Sequence, residues 1–196
     1  DFAGEISFSA VVDEEAYSQG SRAVAKTDFA QCDAVVIAEL FPADAQRPTP
    51  LGITGKVLYD ITVKGRAAHG FLPHEGINAV EDAARIIAAL DRLNLYDHPE
   101  YGKGNLCTLK IEGGYQIYTV VVPDRCRVEV NRLLVPGETS QSALQDMRHL
   151  VSSLNLASEV EVTLKAPVYE SYVMDRDEPI LQALDEVYPL VMGGEK

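Results

Sequence analysis

The pattern of apolar and polar positions changes once along the chain, close to residue 50. Before that point, residues 5–12 (EISFSAVV) and 32–40 (CDAVVIAEL) are nearly continuous apolar runs. Such runs are typical of parallel strands that are covered on both faces. A short helix is predicted between them, around residues 20–25. The strand–helix–strand rhythm predicts an α/β arrangement for residues 1–50.

A stretch that restricts the backbone separates the two patterns. Residues 41–50 (FPADAQRPTP) contain Pro42, Pro48 and Pro50, and Gly52 follows. Proline and glycine at this density are typical of a linker between domains. We therefore predict a domain boundary here.

After the boundary the spacing becomes that of half-buried strands and amphipathic helices. The predicted elements are a strand over 55–64, a helix over 76–93, strands over 105–112 and within 119–134, a helix from Thr139 or Ser140 to 154, and a strand over 159–165. This order, β-α-β-β-α-β, is that of a ferredoxin-like domain, with an antiparallel sheet and both helices on one face. We predict that residues 53–166 form this domain as an insertion. Residues 1–50 and 170–196, with a helix from Asp177, belong to a partial doubly wound α/β domain.

Composition and charge exclude several classes of function. The 196 residues carry a formal net charge of −13, whereas nucleic-acid binding needs a basic face. No apolar run approaches the roughly 18 residues of a membrane span, and the first residues do not resemble a signal peptide. Cys32, Cys107 and Cys126 are an odd number without a CxxC pair. We expect free cysteines in the core and a cytoplasmic protein.

Acidic side chains follow the first two predicted strands. Asp13, Glu14 and Glu15 come directly after the first strand, and Glu39 closes the second. In open α/β sheets, sites form beyond the carboxyl ends of strands, and adjacent carboxylates are stabilised by a bound cation. Glu15 and Glu39 could therefore converge on one metal ion. The alternatives are a solvated acidic turn and an ordinary acid at a strand end.

Two residues of the second region are candidates for substrate chemistry. His69 lies in the glycine-flanked loop GRAAHGFLPHEG, where a histidine can approach a ligand closely. Arg132 interrupts the end of a strand with a fixed cation, and a guanidinium suits bidentate binding of a carboxylate. A loop histidine on the surface and an arginine that lies along the sheet are the alternatives.

Taken together, these segments resemble one family. The segments AVVDEE, DAVVIAE, GRAAHGFLPHEGINAVEDAARII, LKIEGG, VVPDRCRVEV and PGE stand in the order and spacing found in the acetylornithine deacetylase, succinyl-diaminopimelate desuccinylase, aminoacylase and glutamate carboxypeptidase family. The resemblance covers nearly the whole chain. It implies a doubly wound catalytic domain interrupted by a ferredoxin-like lid that also forms a homodimer.

The resemblance also implies roles for individual residues. Glu14 would be the general base, Glu15 a ligand of one zinc and Glu39 a ligand of the other. His69 would reach the partner subunit's site and stabilise the oxyanion, and Arg132 would bind the free carboxylate of the substrate. The implied reaction is the metal-dependent hydrolysis of an N-acyl amino acid or a peptide bond, with two zinc ions (cobalt or manganese being possible substitutes).

Two features limit what this chain is expected to do by itself. The family's further metal ligands, a His-x-Asp pair, a bridging Asp and a late His, have no counterpart among these residues. We therefore expect the chain alone to bind no two-metal centre and to be inactive. The family usually has Asn near Tyr118 and Thr119, so the substrate contact there is expected to differ. The alternatives are a non-catalytic dimerisation or binding module and a catalytically dead relative.

Overall fold

The computed structural model describes residues 3–37 and 51–192, so Glu39 and the predicted boundary at 41–50 lie outside the described residues. The chain divides into two compact units. One unit consists of Asp1–Thr49 together with Arg176–Lys196, and the other of Pro50–Asp175. Each is described by itself below.

The larger unit contains all eight strands of the described residues and two of the four α-helices. In chain order its elements are β1 (Gly52–Ile53), β2 (Gly55–Lys64), α2 (Ala79–Ala88), β3 (Asp97–His98), β4 (Gly102–Lys103), β5 (Leu106–Gly113), β6 (Arg125–Leu134), α3 (Ser140–Ser153), β7 (Glu159–Tyr169) and β8 (Tyr172–Val173). The smaller unit contains α1 (Gln19–Val24) and α4 (Pro179–Met192).

Four strands form the main sheet in the order β5-β6-β2-β7, and every neighbouring pair is antiparallel. Along the chain, α2 lies between β2 and β5, and α3 lies between β6 and β7. Together with the strand order, this is the ferredoxin-like topology. The prediction of this fold from the spacing of apolar residues is therefore confirmed, and strand β2 has the predicted bounds.

The two helices begin at residues whose side chains satisfy free backbone N–H groups. The Asn78 side chain accepts hydrogen bonds from the N–H groups of Val80 (3.0 Å) and Glu81 (3.2 Å). Thr139 and Ser142 form a reciprocal capping box at the start of α3, which confirms Thr139 as the N-cap. Helix α2 is shorter than predicted because Asn78 caps it, and its last turn continues only as a 3₁₀ turn at Leu90–Arg92.

The core lies between the sheet and the two helices. The side chains on one face of β2 and β6 alternate with the strand period and are fully buried, and they contact Ala83 and Ile86 of α2 and Ala143 and Met147 of α3. Burial of apolar side chains on one face stabilises the sheet and fixes its register, because a slip of one residue would expose every one of them.

The two ends of the larger unit lie side by side. Strands β1 and β8 pair, with Gly52 opposite Val173 and Ile53 opposite Tyr172. The N–H of Met174 also donates to the carbonyl of Leu51 at 2.7 Å. The chain therefore enters and leaves this unit at one place.

Two predicted strands are absent from the smaller unit. Residues 5–12 and 32–37 have no strand pairing, and they expose large apolar side chains such as Phe8 (86%) and Ile37 (80%). A strand needs a neighbour to satisfy its N–H and C=O groups, and no described residues supply one here. The prediction of strands in these segments is therefore wrong for this structure. The short helix expected near residues 20–25 is present as α1.

The expectation for the cysteines needs correction. Only Cys126 is a core residue, whereas Cys32 and Cys107 are exposed and all three are free. Strand β6 lies within the predicted range 119–134 and begins at Arg125, because residues 120–124 pair with a loop rather than with the sheet. Among the described residues, no helix is long and apolar enough to cross a membrane.

Candidate functional site

His69 lies in a loop, residues 65–78, that is held along its length by backbone hydrogen bonds. We call this segment the His69 loop. It runs antiparallel to residues 120–124, with His69 bridged to Val121. The N–H of Gly70 donates to Val120 O at 3.0 Å, and that of Val122 donates to Ala68 O at 2.9 Å. The position of His69 is therefore set by the same kind of ladder that holds a sheet.

A glycine at the start of the loop allows it to close on itself. Arg66 and Ile77 exchange two backbone hydrogen bonds of 2.8 and 2.9 Å. A Cβ atom at Gly65 would collide with the carbonyl oxygen of Ile77. Because only glycine lacks a Cβ atom, only glycine can lie this close to Ile77. This explains the glycine at position 65, at the start of the His69 loop.

The imidazole of His69 is exposed and has one nitrogen free. The N–H of Phe71 donates to Nδ1 at 3.2 Å, so the neutral ring carries its proton on Nε2. No described residue accepts a hydrogen bond from Nε2. The ring also lies against Phe71, with 5.3 Å between the centroids. His69 therefore presents an N–H donor to whatever approaches the loop.

Glu14 and Glu15 lie in an exposed turn of the smaller unit. The turn is closed by the N–H of Ser18, which donates to Asp13 O at 2.7 Å, and Asp13 takes a left-handed conformation with φ 65°. The Asp13 carboxylate accepts from the N–H of Gln19 at 3.4 Å, so it is directed to the start of α1. None of the three acids forms an ion pair within the described part of the chain.

The described residues do not by themselves form a metal centre. Throughout 3–37 and 51–192, no three His, Cys, Asp or Glu side chains are grouped so as to hold an ion. A carboxylate such as that of Glu15 suits zinc as an oxygen ligand. Glu39, the second predicted ligand, lies outside the described residues. Carboxylate ligands are therefore suitable for zinc, but the described residues supply too few ligands to bind it.

Arg132 is buried, contrary to the expectation of an accessible cation. It is 1% exposed, and its Nη2 donates to Glu138 Oε1 at 2.6 Å and to Asp146 Oδ2 at 3.2 Å. Its Nη1 donates to the same Asp146 oxygen at 3.2 Å and to the Tyr59 hydroxyl at 3.3 Å. We call Tyr59, Arg132, Glu138 and Asp146 the Arg132 cluster. These contacts count against the predicted binding of a substrate carboxylate by Arg132.

The Pro-Gly-Glu motif forms the turn that carries Glu138 to Arg132. The N–H of Glu138 donates to Val135 O at 3.0 Å, and Gly137 has φ 98°, which glycine adopts without strain. The second carboxylate oxygen of Glu138 accepts from the N–H of Val135 at 3.1 Å. Glu138 therefore joins the strand end, the turn and Arg132. Burial raises the pKa of the neighbouring Tyr59, whose hydroxyl donates to Ala143 O at 2.9 Å.

The opposite face of the sheet is charged and partly exposed. Arg127 binds Asp60 with two hydrogen bonds of 2.6 and 2.7 Å, and these hold the pKa of Asp60 below its usual range. Glu129 accepts from Lys165 at 3.0 Å and also pairs with Arg127. Each of these cross-strand pairs joins opposite charges, which stabilises the sheet.

The sequence contains a signal for the Arg132 cluster, although the family resemblance implies substrate binding by Arg132. Arg132 occupies the same alternating positions as Val128 and Val130, which a strand period places on the buried face. A buried arginine needs an acidic partner, and Glu138 follows six residues later. The partners Tyr59 and Asp146 come from β2 and α3, and no local pattern indicates them.

Comparison with known proteins agrees with this fold. Residues 51–159 match the family model described as the peptidase dimerisation domain, which belongs to the M20 peptidases. The chain belongs to the M20 peptidase dimerisation domain family. The matched region covers strands β2, β5 and β6 and helices α2 and α3, and it ends where β7 begins. The resemblance that the sequence suggested is confirmed.

Individual relatives differ in how much of the chain they cover. YgeY of Escherichia coli K12 is 32% identical over 105 residues, which is 50% of this chain and 25% of YgeY. A tripeptidase from Staphylococcus aureus has a TM-score of 0.59 at 21% identity, and covers 74% of this chain and 37% of its own. An amidase of the hydantoinase/carbamoylase family from Burkholderia vietnamiensis has a TM-score of 0.55 at 18% identity, with 73% and 34% covered.

These proteins are longer than the chain described here. It spans a quarter of YgeY and about a third of each of the two solved structures. At these identities the structural similarity shows the fold, and the family match shows the relationship to M20 peptidases.

Proposed function

We propose that this chain is the dimerisation and lid region of a longer metal-dependent hydrolase, together with flanking parts of its catalytic domain. The match of residues 51–159 to the dimerisation domain carries this proposal. The pairing of β1 with β8, which brings the entry and the exit of the larger unit together, supports an insertion into another domain. We call the longer protein the parent hydrolase.

The surface proposed for dimerisation is the edge strand β5. Its exposed apolar positions include Leu109 (58% exposed) and Ile111 (48% exposed), and by register Ile111 lies on the helix side of the sheet. The other edge, β7, carries Pro167 and the exposed Glu159 and Glu161, which disfavour pairing with another chain. An isologous pair of β5 strands would extend the sheet across a twofold axis.

Replacing Ile111 by lysine is expected to weaken the homodimer at least tenfold, because it places a charge in the centre of the proposed interface. The measurement is the mass of the chain in solution by light scattering over a dilution series. Val168→Lys on the opposite edge, where Val168 is 38% exposed, is the matched control and should leave the dimer intact. A wild-type chain that is monomeric at every concentration, or equal effects of the two variants, would count against the proposed surface.

The catalytic part of the proposal concerns the parent hydrolase. Its substrate would be an N-acyl amino acid or a peptide. Glu15 and Glu39 would hold zinc, which when bound activates water and polarises the amide carbonyl. Glu14 would take the proton from the attacking water and pass it to the leaving amine.

His69 would donate its Nε2 proton to the oxyanion that develops on the substrate. The free donor on an exposed loop, with Nδ1 already bound by Phe71, supports this role. We further propose that His69 acts in the partner subunit's site. The three free cysteines agree with a cytoplasmic location.

A non-catalytic dimerisation module is the second candidate function. The observation that favours it is the absence, within residues 3–37 and 51–192, of a group of side chains that could hold a metal ion. A parent protein that dimerises but hydrolyses no amide in the presence of zinc would establish this alternative.

A further inference from the structure

The two loops next to His69, residues 69–72 and 114–120, expose six large apolar side chains: Phe71, Leu72, Tyr115, Ile117, Tyr118 and Val120. We call these six side chains the apolar platform. Phe71 and Ile117 are 81% and 85% exposed. Single exposed apolar residues are common, but a group of this kind is characteristic of a binding surface.

Backbone hydrogen bonds attach the platform to His69. Gly70 binds Val120 and His69 is bridged to Val121, so the two loops form one unit. The ring of Tyr115 lies 6.3 Å from that of Tyr118 in an edge-to-face arrangement. The platform is therefore held beside the imidazole rather than on an independent loop.

The platform also lacks charge. Residues 67–73 (AAHGFLP) and 114–123 (GYQIYTVVVP) contain no Asp, Glu, Lys or Arg, although 24% of the chain is charged. Tyr118 and Thr119 stand where the polar Asn of the resembled family is expected. A negatively charged substrate group would lose its water here without gaining a cationic partner from these residues, whereas an apolar group would gain contacts.

We infer that the apolar platform binds the apolar side chain or acyl group of the amide substrate whose oxyanion His69 contacts. This inference rests on the proposed function and names the substrate class of that same site. The parent hydrolase should therefore prefer N-acetylphenylalanine or N-acetylleucine over N-acetylaspartate. A single apolar contact discriminates by about ten- to two-hundredfold.

The test compares kcat/KM of the parent hydrolase for N-acetylleucine and N-acetylaspartate, with Ile117→Ser as the variant. Ile53→Ser is the matched control, since Ile53 is also exposed (65%) and lies on β1, outside the platform. We expect a wild-type preference for the apolar substrate of at least tenfold. Ile117→Ser should reduce that preference about tenfold through KM, while Ile53→Ser leaves it unchanged.

The other outcomes overturn the inference in distinguishable ways. Hydrolysis of both substrates without an apolar preference, or a preference that Ile117→Ser leaves intact, would overturn the inference alone. A dimer that dissociates in Ile117→Ser, as judged by light scattering, would assign the platform to a second copy of the chain. Failure to hydrolyse any N-acyl amino acid or peptide would overturn the proposed function and the inference with it.

Discussion

Replacing His69 by alanine is expected to lower kcat of the parent hydrolase by about 10²–10³-fold, with a much smaller change in KM. The loss follows from removal of one donor that acts on the developing oxyanion rather than on the bound substrate. The ring is exposed, and within the described residues its hydrogen bonding is limited to the one that Nδ1 accepts from Phe71. The free energy of unfolding should therefore change little. The measurements are steady-state kinetics and urea denaturation.

His74→Ala is the matched control for this prediction. His74 is an exposed histidine of the same loop, in the 3₁₀ turn Pro73–Glu75. It should leave kcat and stability close to wild type. Equal losses in the two variants would indicate a general disturbance of the loop, and an unchanged kcat in His69→Ala would remove His69 from the proposed mechanism.

Replacing Arg132 by alanine is expected to lower the free energy of unfolding by about 3–5 kcal/mol. The substitution leaves the buried carboxylate of Glu138 without its cation and removes the guanidinium that joins β6 to α3 through Asp146. Loss of one partner of a buried pair costs more than the pair contributes, because the remaining charge stays desolvated. Urea denaturation of this chain measures the effect.

Two further variants compare how much a buried ion pair and a surface ion pair contribute to the free energy of unfolding. Arg127→Ala removes the pair with Asp60 on the partly exposed face and should lower the free energy of unfolding much less than Arg132→Ala does. The double variant Arg132→Met with Glu138→Gln removes both buried charges and should recover part of the lost free energy of unfolding.

The prediction for Arg132 is contradicted if Arg132→Ala has the wild-type free energy of unfolding but raises KM for substrates with a free carboxylate. Arg132 would then bind substrate, as the family resemblance implies.

The sequence predicted the ferredoxin-like unit well because its elements are amphipathic over most of their length. Strand β2 alternates over ten residues, and Thr139 marks the start of α3 with a side chain that caps it. Within the predicted range 119–134, residues 119–122 are apolar or β-branched like those of the strand β6 that follows. Their hydrogen bonds go to the His69 loop, and a local pattern does not identify the partner of a strand.

The smaller unit shows that an apolar run of residues does not by itself predict a strand. Residues 5–12 and 32–37 have the composition of buried strands, but a strand forms only beside a neighbour. Arg132 illustrates the same limit for a side chain. Its residue type suits substrate binding and salt-bridge formation equally, and the choice depends on Asp146 and Glu138, which the fold brings to it.

The central claim is that His69 of one subunit completes the catalytic site of the other. It is tested most directly by producing His69→Ala and Glu14→Ala subunits of the parent hydrolase together. Each variant alone should be nearly inactive, whereas mixed dimers contain one site with both residues intact. We predict recovery of roughly a quarter of wild-type activity, from random pairing into dimers with one such site. A mixture no more active than the separate variants would contradict the claim.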